Sequence, residues 1–408
     1  MLAFAALTAC DSVGPTDPGG APVTINWAQC INDVDFPTWF AFQDGTGAWV
    51  RVTPTNGVFT FAINSGKGGV ATFASNRLSI IYATGAEMDA NKPTCTGSRR
   101  TVNGTVSGYA TLDDINIQMD QTGASVSGTT AAPAPFQLTG VAPGAVDVLG
   151  VRSRSTATTS TFTLTPNAVF IRRAQSTSPM AVIDLNSTTE SGAPLSKTLT
   201  VANAASNDNL YVTTSLNTPT TGITLAQSST SLGTVTGNVS ALSYGLASTR
   251  LATGDMQMLS VFAIKTVSSS VSENRFVTVT YTDVVDRSVT LGSTLGTVTV
   301  TGTARPGATY TIQAGYDQIF EFDLDQGTGA AARAIVSVMT RGYAGATATG
   351  VTLAVPDLTG VAGFQSAWLM SPGLSANWSF IAASATLDAI NSKPQAYTAA
   401  SRSSTFTP

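Results

Sequence analysis

A chain of 408 residues that contains no histidine can run few chemistries. Ser-His-Asp and Cys-His nucleophilic machinery, imidazole metal sites and the usual general base near neutral pH are all removed. Carboxylate pairs survive this filter, but the only glutamates are Glu87, Glu190, Glu273 and Glu321. Glu321 stands in Phe320-Glu-Phe-Asp-Leu-Asp325, where strand alternation sets Glu321, Asp323 and Asp325 on one face and Phe320, Phe322 and Leu324 on the other. Two readings stand: a carboxylate cluster for catalysis or Ca²⁺, or a solvated outer face above a buried one. Asp323 and Asp325 are the metal candidates, but the third acidic ligand and distal Glu of an EF-hand loop are missing. No other cofactor is expected.

Aromatic rings are the second chemical resource. Trp27, Trp39 and Trp49 are three of the chain's five Trp and fall together with Phe36, Phe40 and Phe42. Exposed on a rigid sheet, they are candidate ligand-binding residues that stack on sugar rings or anchor a partner protein. Buried, they fill the core of a small domain. In Trp39-Phe-Ala-Phe42, alternation places Phe40 and Phe42 on one face and Trp39 on the other.

The third resource is sulfur. Leu7-Thr-Ala-Cys10 follows a short apolar run and resembles a bacterial lipobox, which implies diacylglycerol on Cys10. No Lys or Arg precedes the run, so the basic part of the export signal is expected upstream. Residues 1–10 then read as a signal remnant and lipobox, and the Pro/Gly-rich residues 11–22 as a disordered, flexible tether. Cys30 and Cys95 remain as one pair, a disulfide in an exported chain. Closing that loop stabilises by roughly 4 kcal/mol in the chain-entropy model.

Composition agrees with export. Only 11% of residues are charged, against about 25% in ordinary soluble proteins, so Ser, Thr, Asn and Gly provide the polar surface. A net charge of −4 and no concentrated Lys/Arg patch argue against nucleic acid as a partner. Arg99-Arg100, Arg152 with Arg154, and Arg172-Arg173 fall near module junctions, either as solvated charge or as a site for an anionic surface. No run approaches the roughly 20 apolar residues of a membrane helix, so lipid is the expected membrane anchor.

Short apolar runs bounded by turn residues position these groups. Residues 23–98 hold five such runs with Asp44-Gly, Asn56-Gly and Gly68-Gly turns between them, a small antiparallel β domain. Residues 174–305 alternate with Thr outward, as in Arg275-Phe-Val-Thr-Val-Thr-Tyr281, and 306–408 carry five or more strands, including Ala367-Trp-Leu-Met370. No capped helix longer than two turns is predicted. Residues 99–173 contain Val102-Asn-Gly-Thr-Val-Ser-Gly108 and Phe136-Gln-Leu-Thr-Gly-Val-Ala-Pro-Gly-Ala-Val-Asp-Val-Leu-Gly-Val151. This stretch resembles the carboxypeptidase regulatory-like (transthyretin-like) family over about 50 residues, but Tyr109-Ala-Thr-Leu-Asp-Asp114 replaces the family's usual Gly/Pro turn. The resemblance implies a β-sandwich and says nothing of activity, since such modules are accessory to enzymes, receptors and surface proteins alike.

The expected fold class is all-β, a tandem of antiparallel Ig-like or transthyretin-like sandwiches behind a lipidated tether. The expected location is the bacterial cell envelope, periplasmic or surface-exposed. The expected function is a non-enzymatic structural, adhesive or binding role toward a glycan or envelope protein. The alternative is a carbohydrate-binding or carbohydrate-active surface protein using the Trp cluster.

Overall fold

The computed structural model describes residues 22–28, 31, 36–90, 98–387 and 395–408. These are almost entirely β, as the alternation and turn residues predict. No helix among them is long and apolar enough to cross a membrane.

The first segment forms β1 (Pro22–Asn26), β2 (Trp39–Asp44), β3 (Trp49–Arg51), β4 (Val58–Ala62), β5 (Lys67–Ala74), β6 (Arg77–Thr84) and the short helix α1 (Gly85–Ala90). Asn56 and Gly57 both take positive φ, 50° and 79°, in the tight turn the sequence predicts there. The second forms β7 (Arg100–Ser107), β8 (Asp114–Met119), β9 (Thr122–Ser127), β10 (Ala134–Val141), β11 (Val146–Ala157), β12 (Thr161–Gln175), β13 (Ile183–Asp184) and β14 (Ser191–Gly192). Sheet β10-β7-β13 faces β9-β8-β11-β12 across a core that includes Val102, Ile117, Leu138, Val148 and Phe170.

The third segment holds β15 (Leu195–Ala204), β16 (Asn209–Asn217), β17 (Gly222–Ser231), β18 (Gly237–Gly245), β19 (Met256–Thr266), β20 (Ser272–Tyr281) and β21 (Arg287–Thr290). Sheet β18-β15-β21 covers β17-β16-β19-β20 over Leu199, Val212, Val261 and Val277. The last segment holds β22 (Val298–Thr301), β23 (Gly307–Thr311), β24 (Ile319–Gln326), β25 (Arg333–Thr340), α2 (Arg341–Ala344), β26 (Gly350–Ala354), β27 (Ala376–Ala383) and β28 (Tyr397–Phe406).

These segments are welded rather than strung. β12 pairs with β17 through Thr161–Leu164, and β20 pairs with β28 through Ser272–Thr278, so one hydrogen-bonded succession of strands crosses both junctions. Apolar side chains fill the same junctions. Leu149, Val151 and Val169 meet Leu216, Ile223 and Leu225 at the first, and Phe276 packs on a cluster of Ile319, Val338 and Ala399 at the second.

The expected boundaries are crossed at several points. β13 and β14 lie beyond residue 173, yet they pair with β7 and β12 of the second sandwich. β22 lies before residue 306, yet it pairs with β23. Most consequentially, residues 23–98 do not close on themselves. β6 runs parallel to β25, matching Leu78 with Ile335 and Tyr82 with Met339. Trp39, Leu78 and Ile80 join one core with Phe320, Phe322, Leu353 and Phe380. A parallel pairing between runs some 250 residues apart leaves no local turn signature, because it needs a long crossover rather than a hairpin.

Candidate functional site

The three N-terminal tryptophans do not form an exposed platform. Trp39 is 2% exposed, with its indole N–H donating to Ala362 O at 3.1 Å and the Arg51 guanidinium 5.5 Å from its ring centroid. Such a ring has no free face for a sugar, which corrects its assignment as a ligand-binding residue. Alternation is right that Trp39 and Phe40 point to opposite faces, but both faces are covered. The β1-β4 sheet buries Phe40 with Phe59 and Phe61, and Ala362, Phe364 and Trp368 of the loop between β26 and β27 close over Trp39.

Trp27 is half-buried and meets Phe36 and Phe59 edge-on, each at 5.9 Å. Trp49 is half-buried against β5, where a Cβ on Gly69 would lie 2.7 Å from its Cη2, and its ring meets Tyr82 at 6.2 Å. The three rings therefore serve different packing sites and converge on no common surface.

A different aromatic group does converge. Trp368 and Phe364 come from the loop between β26 and β27 and meet Trp39 at 5.6 and 5.7 Å. Phe73 of β5 lies flat on Trp368, with ring centroids 4.1 Å apart and planes within 9°. Beside this stack is a hollow of about 440 Å³ lined by Thr38, Phe73, Asn76, Arg333, Gln365 and Trp368. Sequence reasoning missed it because Ala367–Met370 reads as a strand, whereas Ser366–Trp368 is a 3₁₀ turn. The local signal was the aromatic pair Phe364 and Trp368 in a Gly-rich stretch.

The carboxylates follow the alternation. Phe320, Phe322 and Leu324 are buried and Glu321, Asp323 and Asp325 face outward. Burial, then repulsion and a hydrogen bond from Glu321, push Asp323 up to about 8, partly offset by Arg77. The three share a sheet face, but among the described residues no group of three acidic side chains is placed to hold a metal ion.

The junction arginines are clamps. Arg172 bonds Glu190 through Nε and Nη2 at 2.7 and 2.8 Å, a fork that holds the Glu190 carboxyl below its ordinary value. Arg173 Nη1 reaches Asp147 at 3.0 Å and Asp255 at 2.9 Å, and its Nη2 also donates to Asp255. Arg152 and Arg154 both turn to Asp113, Arg99 pairs with Asp120, and Arg100 donates to the carbonyls of Gly144, Gln175 and Ser176. They are engaged internally instead of forming an anion-binding surface.

Compared with known proteins, no family model matches this chain, and no curated protein matches it. Cys10, Cys30 and Cys95, with the tether of residues 11–21, lie outside the described residues.

Proposed function

We propose that the chain is a non-enzymatic, lipid-anchored component of the bacterial cell envelope with a structural or binding role. The observation that supports this reading most is the welding of the sandwiches. Backbone pairing and apolar contacts at both junctions, with the Arg173–Asp255 ion pair at the first, make a body suited to holding a surface at a fixed place, without the hinge that catalytic domain closure uses. The His-free composition and charge-poor surface fit the same role, and the lipobox-like Leu7–Cys10 supplies its anchor. The Cys30–Cys95 disulfide and the carboxypeptidase regulatory-like kinship of residues 101–155 belong to this proposal.

Mass spectrometry of the N-terminal peptide tests the anchor. Diacylglycerol on Cys10 is expected, and Cys10→Ser is expected to move the protein from the membrane to the soluble fraction. An unmodified Cys10 in mature protein overturns it. Non-reducing peptide mapping is expected to recover Cys30 joined to Cys95.

A second reading, glycan binding, is favoured by one specific observation: an aromatic stack beside exposed amide side chains in the hollow at Trp368. It moves the candidate surface away from Trp27, Trp39 and Trp49.

A further inference from the structure

The hollow at Trp368 has three walls: the Ser75–Asn76 turn between β5 and β6, the chain leading into β25 at Ala331–Arg333, and the Gln365–Trp368 turn. Its volume of about 440 Å³ falls in the range of about 300–1,000 Å³ typical of small-ligand sites. The walls are held firmly. Trp39 pins the third through its bond to Ala362 O, and Arg333 Nη1 pins it again by donating to Leu369 O at 3.1 Å and to Ser371 Oγ. A site fixed before binding loses little conformational freedom when it is filled.

Several of its polar groups are unspent. The Asn76 and Gln365 side chains are exposed and their amides bond no other described residue, although Asn76 O accepts from Ala334 N at 3.2 Å. Asn76 sits at φ 61°, a conformation Asn and Gly adopt readily, so its amide is presented by a turn that glycine could make equally well. Arg333 Nε and Nη2 have no partner among the described residues, and no carboxylate lines the hollow. Phe73 and Trp368, stacked face to face, line the hollow with apolar ring atoms.

We propose that this hollow binds a sugar unit of an acidic glycan, one bearing a carboxylate on a pyranose ring; this rests on the glycan-binding reading. The apolar C–H face of the sugar ring packs against the apolar ring atoms of Phe73 and Trp368 that line the hollow. Adjacent hydroxyls match the paired donor and acceptor of the Asn76 and Gln365 amides. The sugar carboxylate meets the unspent nitrogens of Arg333 in a charge-assisted bond. An extended peptide would need backbone partners along a strand edge, which these turn walls do not offer.

The test is a titration of the full chain with uronic-acid oligosaccharides and with neutral oligosaccharides of the same ring configuration, followed by calorimetry and by Trp fluorescence. Saturable binding of the acidic series is expected, about tenfold or more tighter than the neutral series and weakening as salt is raised. Asn76→Gly with Gln365→Ala is expected to lower affinity about tenfold or more while leaving the melting temperature unchanged, since neither amide bonds another described residue. Arg333→Gln is expected to erase the preference for the acidic series; if it fails to fold, the Asn76/Gln365 variant decides. Acidic-glycan binding that survives the Asn76/Gln365 variant overturns this site and leaves the glycan reading standing. Equal binding of both series overturns the acidic class, and no binding of any sugar overturns both readings.

Discussion

The indole N–H of Trp39 is bonded to the carbonyl of Ala362, 3.1 Å away in space and 323 residues away in sequence. Around that bond, Phe364 and Trp368 of the same loop press on the ring. One side chain thus fastens an early strand to the loop that carries the Trp368 hollow. Trp39→Phe keeps an aromatic ring but loses the N–H, and is expected to cost about 1–3 kcal/mol because the carbonyl loses its donor in a partly buried place. Trp39→Ala is expected to cost about 3–5 kcal/mol. Denaturant unfolding measures both, and an alanine variant within about 0.5 kcal/mol of the parent would refute the fastening role.

How much of this was legible depends on range. Strand positions were readable because period two and turn residues are local, as at Asn56-Gly57 and at Phe320–Asp325. Partners were not, because nothing near Leu78 announces Ile335. Trp39 shows the consequence: alternation gave the correct opposition to Phe40, but whether its own face was open depended on a loop more than 300 residues away. Trp368 shows the reverse. Its run looked like a strand, yet tertiary packing on Phe73 and Trp39 holds it in a 3₁₀ turn beside the hollow.

The first junction depends on a buried charge. The Asp255 side chain is fully enclosed and is met by Arg173, whose own side chain is 34% exposed. Asp255 Oδ2 also accepts the Ala252 N–H at 2.9 Å. Removing the arginine strands a buried carboxylate, which costs more than the pair itself contributes. Arg173→Met is therefore expected to destabilise by about 2–3 kcal/mol, below the fully buried range because the arginine is partly solvated. Adding Asp255→Asn should return at least half of that loss. A double variant no more stable than Arg173→Met alone would show that the clamp acts by shape and not by charge.

Asp323 gives a pH signature. Its folded-state carboxyl titrates well above the ordinary 3.8, held up by burial and by Glu321. Below 3.8 both folded and unfolded chains carry the proton and nothing is lost. As pH rises from there toward about 8, the unfolded chain releases the proton more easily, so stability falls with pH and then levels off. Asp323→Asn removes this loss, together with the repulsion between Asp323 and Glu321. Thermal melts should show the two proteins nearly equal at pH 4 and the variant more stable at pH 9, by about 2 °C or more. Equal melting temperatures across the range would mean that Asp323 ionises freely on the sheet face.

The second junction is closed by a contact with no room in it. A Cβ on Gly292 would lie 1.9 Å from the hydroxyl oxygen of Tyr316, and Tyr316 is 3% exposed with its hydroxyl donating to Ser293 O at 2.7 Å. The carbonyl of Gly292 accepts from Arg275 Nη1 at 3.3 Å, and the same nitrogen also donates to Asn203 O at 2.7 Å, so the backbone cannot simply step aside. The second Arg275 nitrogen bonds Asp208 at 2.5 Å inside the third sandwich. Gly292→Ala must then displace Tyr316 or break the Arg275 network, at an expected cost of about 2–3 kcal/mol. Tyr316→Phe alone loses one hydrogen bond and should cost about 1 kcal/mol. Combined, they should be less damaging than the sum, because removing the hydroxyl relieves the closest contact, although Tyr316 Cζ would still lie 2.8 Å from the new Cβ. Additive costs in denaturant unfolding would show that the methyl is absorbed elsewhere and that Tyr316 does not set the spacing between the third and last sandwiches.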